Sequence, residues 1–171
     1  MRKVLIIDTS ILCVWLAVPG KTTCGSASNH WNKERVDKVL EEEIRATTTL
    51  VLPLATILET GNHIAQANLL RYEAAQALAK LMAAAADEKT PWAAFTDQSV
   101  LWEAEELKKL AIEWPELAAR RISIGDATIK TVAEHYARSG YQVEIFTGDE
   151  GLKAYEPSVP VKPPRRRRSQ T

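Results

Sequence analysis

The sequence contains only two cysteines, Cys13 and Cys24, and no internal repeat. Two thiols without a disulfide framework are typical of a reducing, cytosolic setting. Cys24 and His30 are too few for a structural zinc site. At 171 residues the chain is long enough to bury a hydrophobic core without such cross-links. The sequence therefore predicts one globular domain of ordinary size.

Long hydrophobic runs are also lacking, and no segment approaches the roughly 18 apolar residues of a membrane span. The basic start and the apolar stretch Ile11–Val18 resemble a signal peptide. However, Asp8, Thr9 and Ser10 interrupt the apolar stretch, and no small-residue cleavage site fits cleanly before Pro19. We therefore expect a cytoplasmic protein with no membrane partner.

The chain has no net charge, because 22 Lys and Arg balance 22 Asp and Glu. Four positive charges stand together near its end: Arg165, Arg166, Arg167 and Arg168. Without these four, 18 positive charges face 22 negative ones, a net charge of −4. An acidic body suggests metal ions or a cationic partner, and a basic tail suggests phosphates. We therefore expect a folded domain over residues 1–156 and a flexible Pro/Arg-rich tail over 157–171, with its arginines as candidate substrate-binding residues.

The apolar pattern predicts strands that alternate with helices. Short apolar runs predict three strands, at residues 4–8, 48–53 and 141–147. Helical periodicity predicts helices at 11–18, 32–46, 54–66, 69–86, 99–112 and 125–140, with a short one in 148–155. Residues 19–30 are typical of a loop, and Trp114-Pro115 predicts the end of a helix. Such alternation predicts a three-layer α/β/α sandwich with a central parallel sheet.

Four acidic residues are predicted to meet at one edge of this sheet. Asp8 ends the first strand, Asp149 follows the third, Asp126 opens the preceding helix, and Glu59 follows the second strand. Ligands bind outside the carboxyl ends of such strands. Each acid also has a structural explanation, as a helix cap, a turn residue or a solvated charge. Four neighbouring carboxylates would take up protons or bind cations, and oxygen ligands suit Mg²⁺ or Mn²⁺.

The helix that carries Glu59 has a polar stripe and an apolar stripe at 100° per residue. The polar stripe contains Glu59, Asn62, His63 and Gln66. The apolar stripe contains Leu54, Leu58, Gly61, Ile64 and Ala65. Glu59 is therefore not forced into the core. His63 is a candidate contact for a substrate phosphate, and the alternative is a solvated helix histidine.

Four segments carry a resemblance to a known family. In chain order they are VLIIDTS, LPLATILETGNHI, SIGDATIKTVAEHY and VEIFTGDEGLKAY. They resemble the four acidic motifs of PIN-domain nucleases, over about residues 3–155. The resemblance implies a metal-dependent endonuclease, usually acting on RNA, in which Asp8, Glu59, Asp126 and Asp149 hold Mg²⁺ or Mn²⁺ and activate water. It also implies supporting roles for Thr147 and Ser10.

The resemblance suggests partners as well. Small prokaryotic PIN proteins are often toxins held by a cognate antitoxin, and many form homodimers. The chain departs from compact members in its long insertion between Asp8 and Glu59, its RRRR tail, and the segment 90–121. That segment holds Trp92, Trp102 and Trp114, which we expect mainly in the core or an interface, with base stacking as the alternative for one.

Two alternatives stay open at the level of sequence. A haloacid dehalogenase-type phosphatase also places a nucleophilic Asp after its first strand. That chemistry needs a second Asp two residues later, where this chain has Ser10. The other alternative is a PIN-like RNA-binding or adaptor protein whose acids no longer catalyse. Metal-dependent cleavage of RNA distinguishes the enzyme from the adaptor.

Overall fold

The computed structural model describes residues 2–158, in which helices flank a sheet of three parallel strands. In chain order the elements are β1 (Lys3–Ile7), α1 (Thr9–Trp15), β2 (Thr23–Cys24), β3 (Trp31–Asn32), α2 (Lys33–Arg45), β4 (Thr49–Val51), α3 (Leu54–Gln66), α4 (Arg71–Ala86), a 3₁₀ helix (Phe95–Trp102), α5 (Ala104–Ala119), α6 (Ile124–Arg138), β5 (Gln142–Phe146) and α7 (Glu150–Lys153).

The central strand is β1, which pairs in parallel with β4 on one side and β5 on the other. Ile6 lies opposite Val51 in β4 and Ile145 in β5. The carboxyl ends of all three strands therefore lie at the same edge. The predicted α/β architecture with a parallel sheet is confirmed.

Alternate side chains of β1 enter two separate hydrophobic clusters. Leu5 and Ile7 pack in a cluster with residues of α1, α2, α3 and α4. Val4 and Ile6 pack in a second cluster, whose helical residues come mainly from α6. Because neighbouring side chains of a strand point to opposite faces, helices cover both faces of the sheet. This double coverage explains why the strands are almost uniformly apolar.

Three details of the predicted elements are wrong. The predicted loop 19–30 overlaps a short antiparallel hairpin formed by β2 and β3. The predicted helix at 99–112 is a 3₁₀ helix followed by α5, separated by the extended residue Glu103. Pro115 lies inside α5 instead of ending it. None of the residues of α5 is buried, so the proline ring lies at the surface. The helix carbonyl that loses its N–H partner is on the same exposed helix and can bind water instead.

The helix wheel of α3 also needs a correction. Leu58, assigned to the apolar stripe, is 58 % exposed, whereas Thr56 and Thr60 are fully buried. Thr56 is tolerated there because its hydroxyl donates to the carbonyl of Ile7 at 2.9 Å. Glu59 is partly exposed, so its predicted freedom from the core is confirmed.

The tryptophans of segment 90–121 differ in their surroundings. Trp92 is buried and stacks on Trp15 with ring centroids 6.3 Å apart. Trp102 is 36 % exposed. Trp114 donates its indole N–H to the carbonyl of Ile122 at 3.3 Å. The prediction of a core residue is therefore confirmed for Trp92.

Among residues 2–158 no helix is both long and apolar enough to cross a membrane. The predicted substrate-binding arginines at 165–168, and most of the predicted tail, lie outside the described residues.

Candidate functional site

All four predicted acids line one cavity of about 390 Å³ at the carboxyl edge of the sheet. Asp8 directly follows β1, and Asp149 directly precedes α7. Glu59 comes from α3, and Asp126 from the first turn of α6. Ser10 and His63 line the same cavity. The structure thus brings together side chains that are up to 141 positions apart in the sequence, counted from Asp8 to Asp149.

A cavity of similar size, about 360 Å³, lies between α5 and α6. It is lined by acidic and basic side chains together, and one lining pair, Lys109 and Glu106, forms a salt bridge. Charges of both signs on neighbouring helices are typical of a solvated surface. The cavity with four acids is therefore the better candidate for a functional site.

Asp8 is held firmly through one of its two carboxylate oxygens. Oδ2 accepts hydrogen bonds from the Ser10 hydroxyl at 2.6 Å, the Ser10 backbone N–H at 3.2 Å and the Thr147 hydroxyl at 2.8 Å. The residue is only 4 % exposed and caps α1. Among residues 2–158, no hydrogen bond or salt bridge involves Oδ1. The predicted supporting residues Ser10 and Thr147 therefore both contact Asp8.

Glu59 and Asp126 are anchored in the same way. The Thr9 hydroxyl donates to Oε2 of Glu59 at 3.0 Å. The Ser123 hydroxyl donates to Oδ2 of Asp126 at 2.8 Å and accepts from the Asp126 backbone N–H at 3.0 Å. Ser123 is the N-cap of α6, and its hydroxyl accepts from the N–H three residues later, as the first residue of a capping box does.

Asp149 is the N-cap of α7, and its Oδ1 accepts from the backbone N–H groups of Gly151 at 2.7 Å and Leu152 at 3.3 Å. Its own N–H donates to the hydroxyl of Thr147 at 2.9 Å. Thr147 therefore bridges Asp149 and Asp8. Asp149 can therefore cap α7 and also bind a ligand, because the cap uses only Oδ1.

A common pattern follows from these contacts. Each of the four carboxylates binds the protein through one oxygen, while the other has no hydrogen-bonding or ionic partner among residues 2–158. The partnerless oxygens are not buried, since the buried polar side-chain atoms without partners belong to Trp31, Thr60, Gln98 and Tyr136 in this part of the chain. The four carboxylates are thus oriented by the fold, and their residues all line the cavity.

Burial and neighbouring charges change the titration of two of these acids, Glu59 and Asp126. Burial raises the pKa of Glu59, and the charges of Asp126 and Asp8 raise it further, against the hydrogen bond from Thr9. Burial likewise raises the pKa of Asp126, with Asp8 and Asp149 adding to the effect, against hydrogen bonds from Ser123. Glu59 therefore lies within electrostatic range of Asp126 and Asp8, and Asp126 within range of Asp8 and Asp149, so a cation would relieve this repulsion.

The donor set fits a hard divalent cation bound with some of its water. Within residues 2–158, no three His, Cys, Asp or Glu side chains are arranged to hold one metal ion directly. Mg²⁺ rarely uses such a cage, since it keeps several waters and binds through one or two carboxylates and substrate phosphates. Partnerless carboxylate oxygens on the wall of one cavity suit that mode, whereas a zinc site would need a closed set of ligands.

Several residues of the site were missed by sequence reasoning. Thr9 anchors Glu59, and Ser123 anchors Asp126. The position of Thr9 directly after Asp8 indicated that Thr9 lies near the site. The spacing of Ser123 and Asp126, three residues apart at a helix start, indicated their contact. Lys21 and Cys24 also line the cavity, but they come from the predicted loop, whose sequence carries no signal for this position.

Gly125 leaves room for the Glu59 carboxylate. A Cβ at this position would lie 1.9 Å from Oε1 and 2.9 Å from Cδ of Glu59. Glu59 is flexible at this end, so we expect Gly125→Ala to displace its carboxylate and keep the fold. Unfolding stability should change by less than about 1 kcal/mol, the range of helix propensity, while metal-dependent function falls.

Gly61→Ala is the matched control for Gly125→Ala, because its Cβ would meet only Leu78, at 4.0 Å. Thermal melts and Mn²⁺ titrations of both variants decide the matter. Equal Mn²⁺ affinity in the two variants would show that the position of the Glu59 carboxylate is irrelevant to metal binding.

Thr147 is 6 % exposed, and its hydroxyl serves Asp8 and Asp149 together. Thr147→Val keeps the shape but leaves the Asp149 N–H without its acceptor, so we expect a loss of about 1–3 kcal/mol in unfolding free energy. Thr131→Val is the control, since that hydroxyl donates only to the carbonyl of Ala127 within α6. Urea denaturation of both variants measures the difference, and equal losses would contradict the bridging role.

Comparison with known proteins gives no match: no family model fits the chain, and no curated protein or solved structure is significantly similar to it. The structure itself shows an α/β protein with a carboxylate-lined cavity at the edge of a parallel sheet.

Proposed function

We propose that this protein is a Mg²⁺- or Mn²⁺-dependent endoribonuclease with a PIN-like three-layer fold. One observation carries the proposal: Asp8, Glu59, Asp126 and Asp149 line one cavity, and each leaves one oxygen without a protein partner. Unrelated helix caps and surface charges would have no reason to share one cavity. The order of the four acidic motifs in the sequence supports the same class.

One or two of the four carboxylates would hold the ion directly, through oxygens without a partner among residues 2–158, and the others would bind its water molecules. When bound, Mg²⁺ or Mn²⁺ would lower the pKa of a bound water and stabilise the negative charge of the phosphate transition state. The protein's part is to fix these oxygens in advance, through the hydroxyls of Thr9, Ser10 and Thr147. Glu59 and Asp126, whose pKa values are raised, are suited to accept the proton of the attacking water.

The proposed substrate is single-stranded or structured RNA, as the resemblance implies. His63 lines the cavity and stays a candidate phosphate contact. A role as the toxin of a toxin–antitoxin pair, a homodimer and a cytoplasmic location belong to the same proposal. The antitoxin would place a cationic segment near the acids, in keeping with the acidic body of the chain.

The phosphatase alternative is less well supported at Ser10. A general acid is needed at that position, but the Ser10 hydroxyl donates to Asp8 and accepts from the backbone N–H of Gly148 at 3.0 Å. Ser10 thus acts as a support for Asp8. An adaptor without catalysis has no specific observation in its favour.

Cleavage of a labelled RNA by the purified protein tests the proposal. We expect internal cuts with Mg²⁺ or Mn²⁺ and none in EDTA, and no release of phosphate from p-nitrophenyl phosphate. Full cleavage in EDTA, or phosphatase activity without RNA cleavage, would refute the proposed function. RNA binding without cleavage at any metal concentration would favour the adaptor.

A further inference from the structure

Within residues 2–158, Lys21 is the one lysine or arginine that lines the carboxylate cavity. Its side chain is exposed, and it takes part in none of the salt bridges found within residues 2–158. A lysine that served to neutralise the acids would be expected to pair with one of them. Lys21 shares their cavity without such a pair, so its ammonium is available to an anion that enters.

The backbone around Lys21 fixes it at this place. Gly20 has φ +80°, and the Lys21 N–H donates to the carbonyl of Val18 at 2.9 Å. This turn leads into the β2–β3 hairpin, which packs closely on the segment after β5. A Cβ at Gly148 would lie 2.7 Å from Sγ of Cys24. The hairpin also bonds to α7, since the Ser26 hydroxyl donates to Glu150 at 2.9 Å.

Lys21 lies close enough to Cys13, on α1, for its charge to act on the Cys13 thiol. Cys13 is 2 % exposed and also lines the cavity. Burial raises the pKa of Cys13 to about 11, and the Lys21 ammonium is among the groups that oppose this rise. The ammonium therefore acts at the side of the cavity formed by α1.

An RNA strand meets an electrostatic obstacle at this site. Its phosphates carry the same sign as the four carboxylates, and a bound cation neutralises only part of their charge. A lysine is a compact point charge on a flexible stem, which suits a phosphate whose position changes during binding and release. We propose that Lys21 binds a phosphate of the RNA strand at the mouth of the carboxylate cavity and positions that strand. This inference rests on the proposed function.

Lys21 is thus a positioning residue, and its effect belongs to binding. Lys21→Gln should raise KM about fivefold with little change in kcat, the fold-change of an exposed charge interaction of about 1 kcal/mol. Lys21→Arg should keep most of the wild-type KM. Lys80→Gln is the control, because Lys80 is exposed on α4 and is not among the residues lining the cavity.

Salt dependence gives a readout that a structural role would not move. Affinity of the wild type for a short fluorescein-labelled single-stranded RNA is measured in EDTA, in which the strand is expected to stay intact. Adding Lys21→Gln should lower the slope of log affinity against log salt by about 0.7, the share of one phosphate contact on a single strand. Adding Lys80→Gln should leave the slope unchanged.

The failures of the two proposals are distinguishable. If the wild type cleaves RNA and Lys21→Gln has the KM and the salt slope of the Lys80→Gln control, the role of Lys21 is overturned and the nuclease stands. If the wild type neither binds nor cleaves RNA, the proposed function fails and the role of Lys21 fails with it.

Discussion

Asp8→Asn should reduce metal-dependent RNA cleavage by about 100-fold or more while the protein stays folded. Loss of a partner that only orients a metal ligand typically costs 10- to 100-fold, and Asp8 is proposed as a ligand itself. The amide oxygen of Asn can still accept from Ser10 and Thr147, as Oδ2 of Asp8 does. The amide nitrogen then replaces Oδ1, the oxygen without a partner among residues 2–158, so the charge and the proposed metal ligand are lost but the shape is kept.

Asp87→Asn is the matched control for this variant, because Asp87 is an exposed residue at the end of α4, beside Lys89. Initial rates of RNA cleavage with Mn²⁺ measure the effect, and circular dichroism verifies the fold. A folded Asp8→Asn protein with the wild-type rate would remove Asp8 from the catalytic machinery.

Mn²⁺ should stabilise the wild type by about 2.7 kcal/mol at a hundredfold excess over its Kd, because the proposed site exists only in the folded state. For a domain of this size that shift corresponds to roughly 5–10 °C in Tm. Asp126→Asn should lose most of this rise. Without metal the variant should melt at or above wild type, since it removes a carboxylate that burial and neighbouring acids disfavour.

The pH dependence of these melts has a definite sign. The pKa of Asp126 is raised in the folded state, first by burial and then by Asp8 and Asp149. The folded protein therefore holds this proton to a higher pH than the unfolded chain, and it loses stability as pH rises from the ordinary value toward the raised one. In EDTA, the advantage of Asp126→Asn over wild type should be larger at about pH 8 than at about pH 4. An advantage that shrinks with rising pH would contradict the proposed crowding.

Much of the architecture could be predicted because its signals are local. The apolar run before Asp8 and the periodicity of 54–66 gave strand β1 and helix α3 almost without error. The convergence of the four acids followed from one rule, that parallel strands share a carboxyl edge. Each acidic motif alone is too short to predict a site. The positions of the four motifs, each next to a predicted strand or helix start, place the acids at one edge of the sheet.

Features set by tertiary packing could not be predicted in this way. The hairpin that carries Cys24 and follows Lys21 has strands of only two residues, too short for a period to be visible. The buried Thr56 is stable only because it reaches the carbonyl of Ile7, 49 positions away in the sequence. In the sequence, Gly125 resembles an ordinary residue at a helix start. Only the folded structure shows that the Glu59 carboxylate occupies the space that a Cβ at this position would need.

The proposed nuclease requires a divalent cation beside the four carboxylates. Anomalous diffraction at the manganese edge from Mn²⁺-soaked crystals tests it most directly. We expect a peak in the cavity, at metal–oxygen distances of about 2.0–2.3 Å from one or two of the partnerless oxygens, and no such peak in Asp8→Asn crystals. An empty cavity at saturating Mn²⁺, or an ion bound only elsewhere on the protein, would contradict the account.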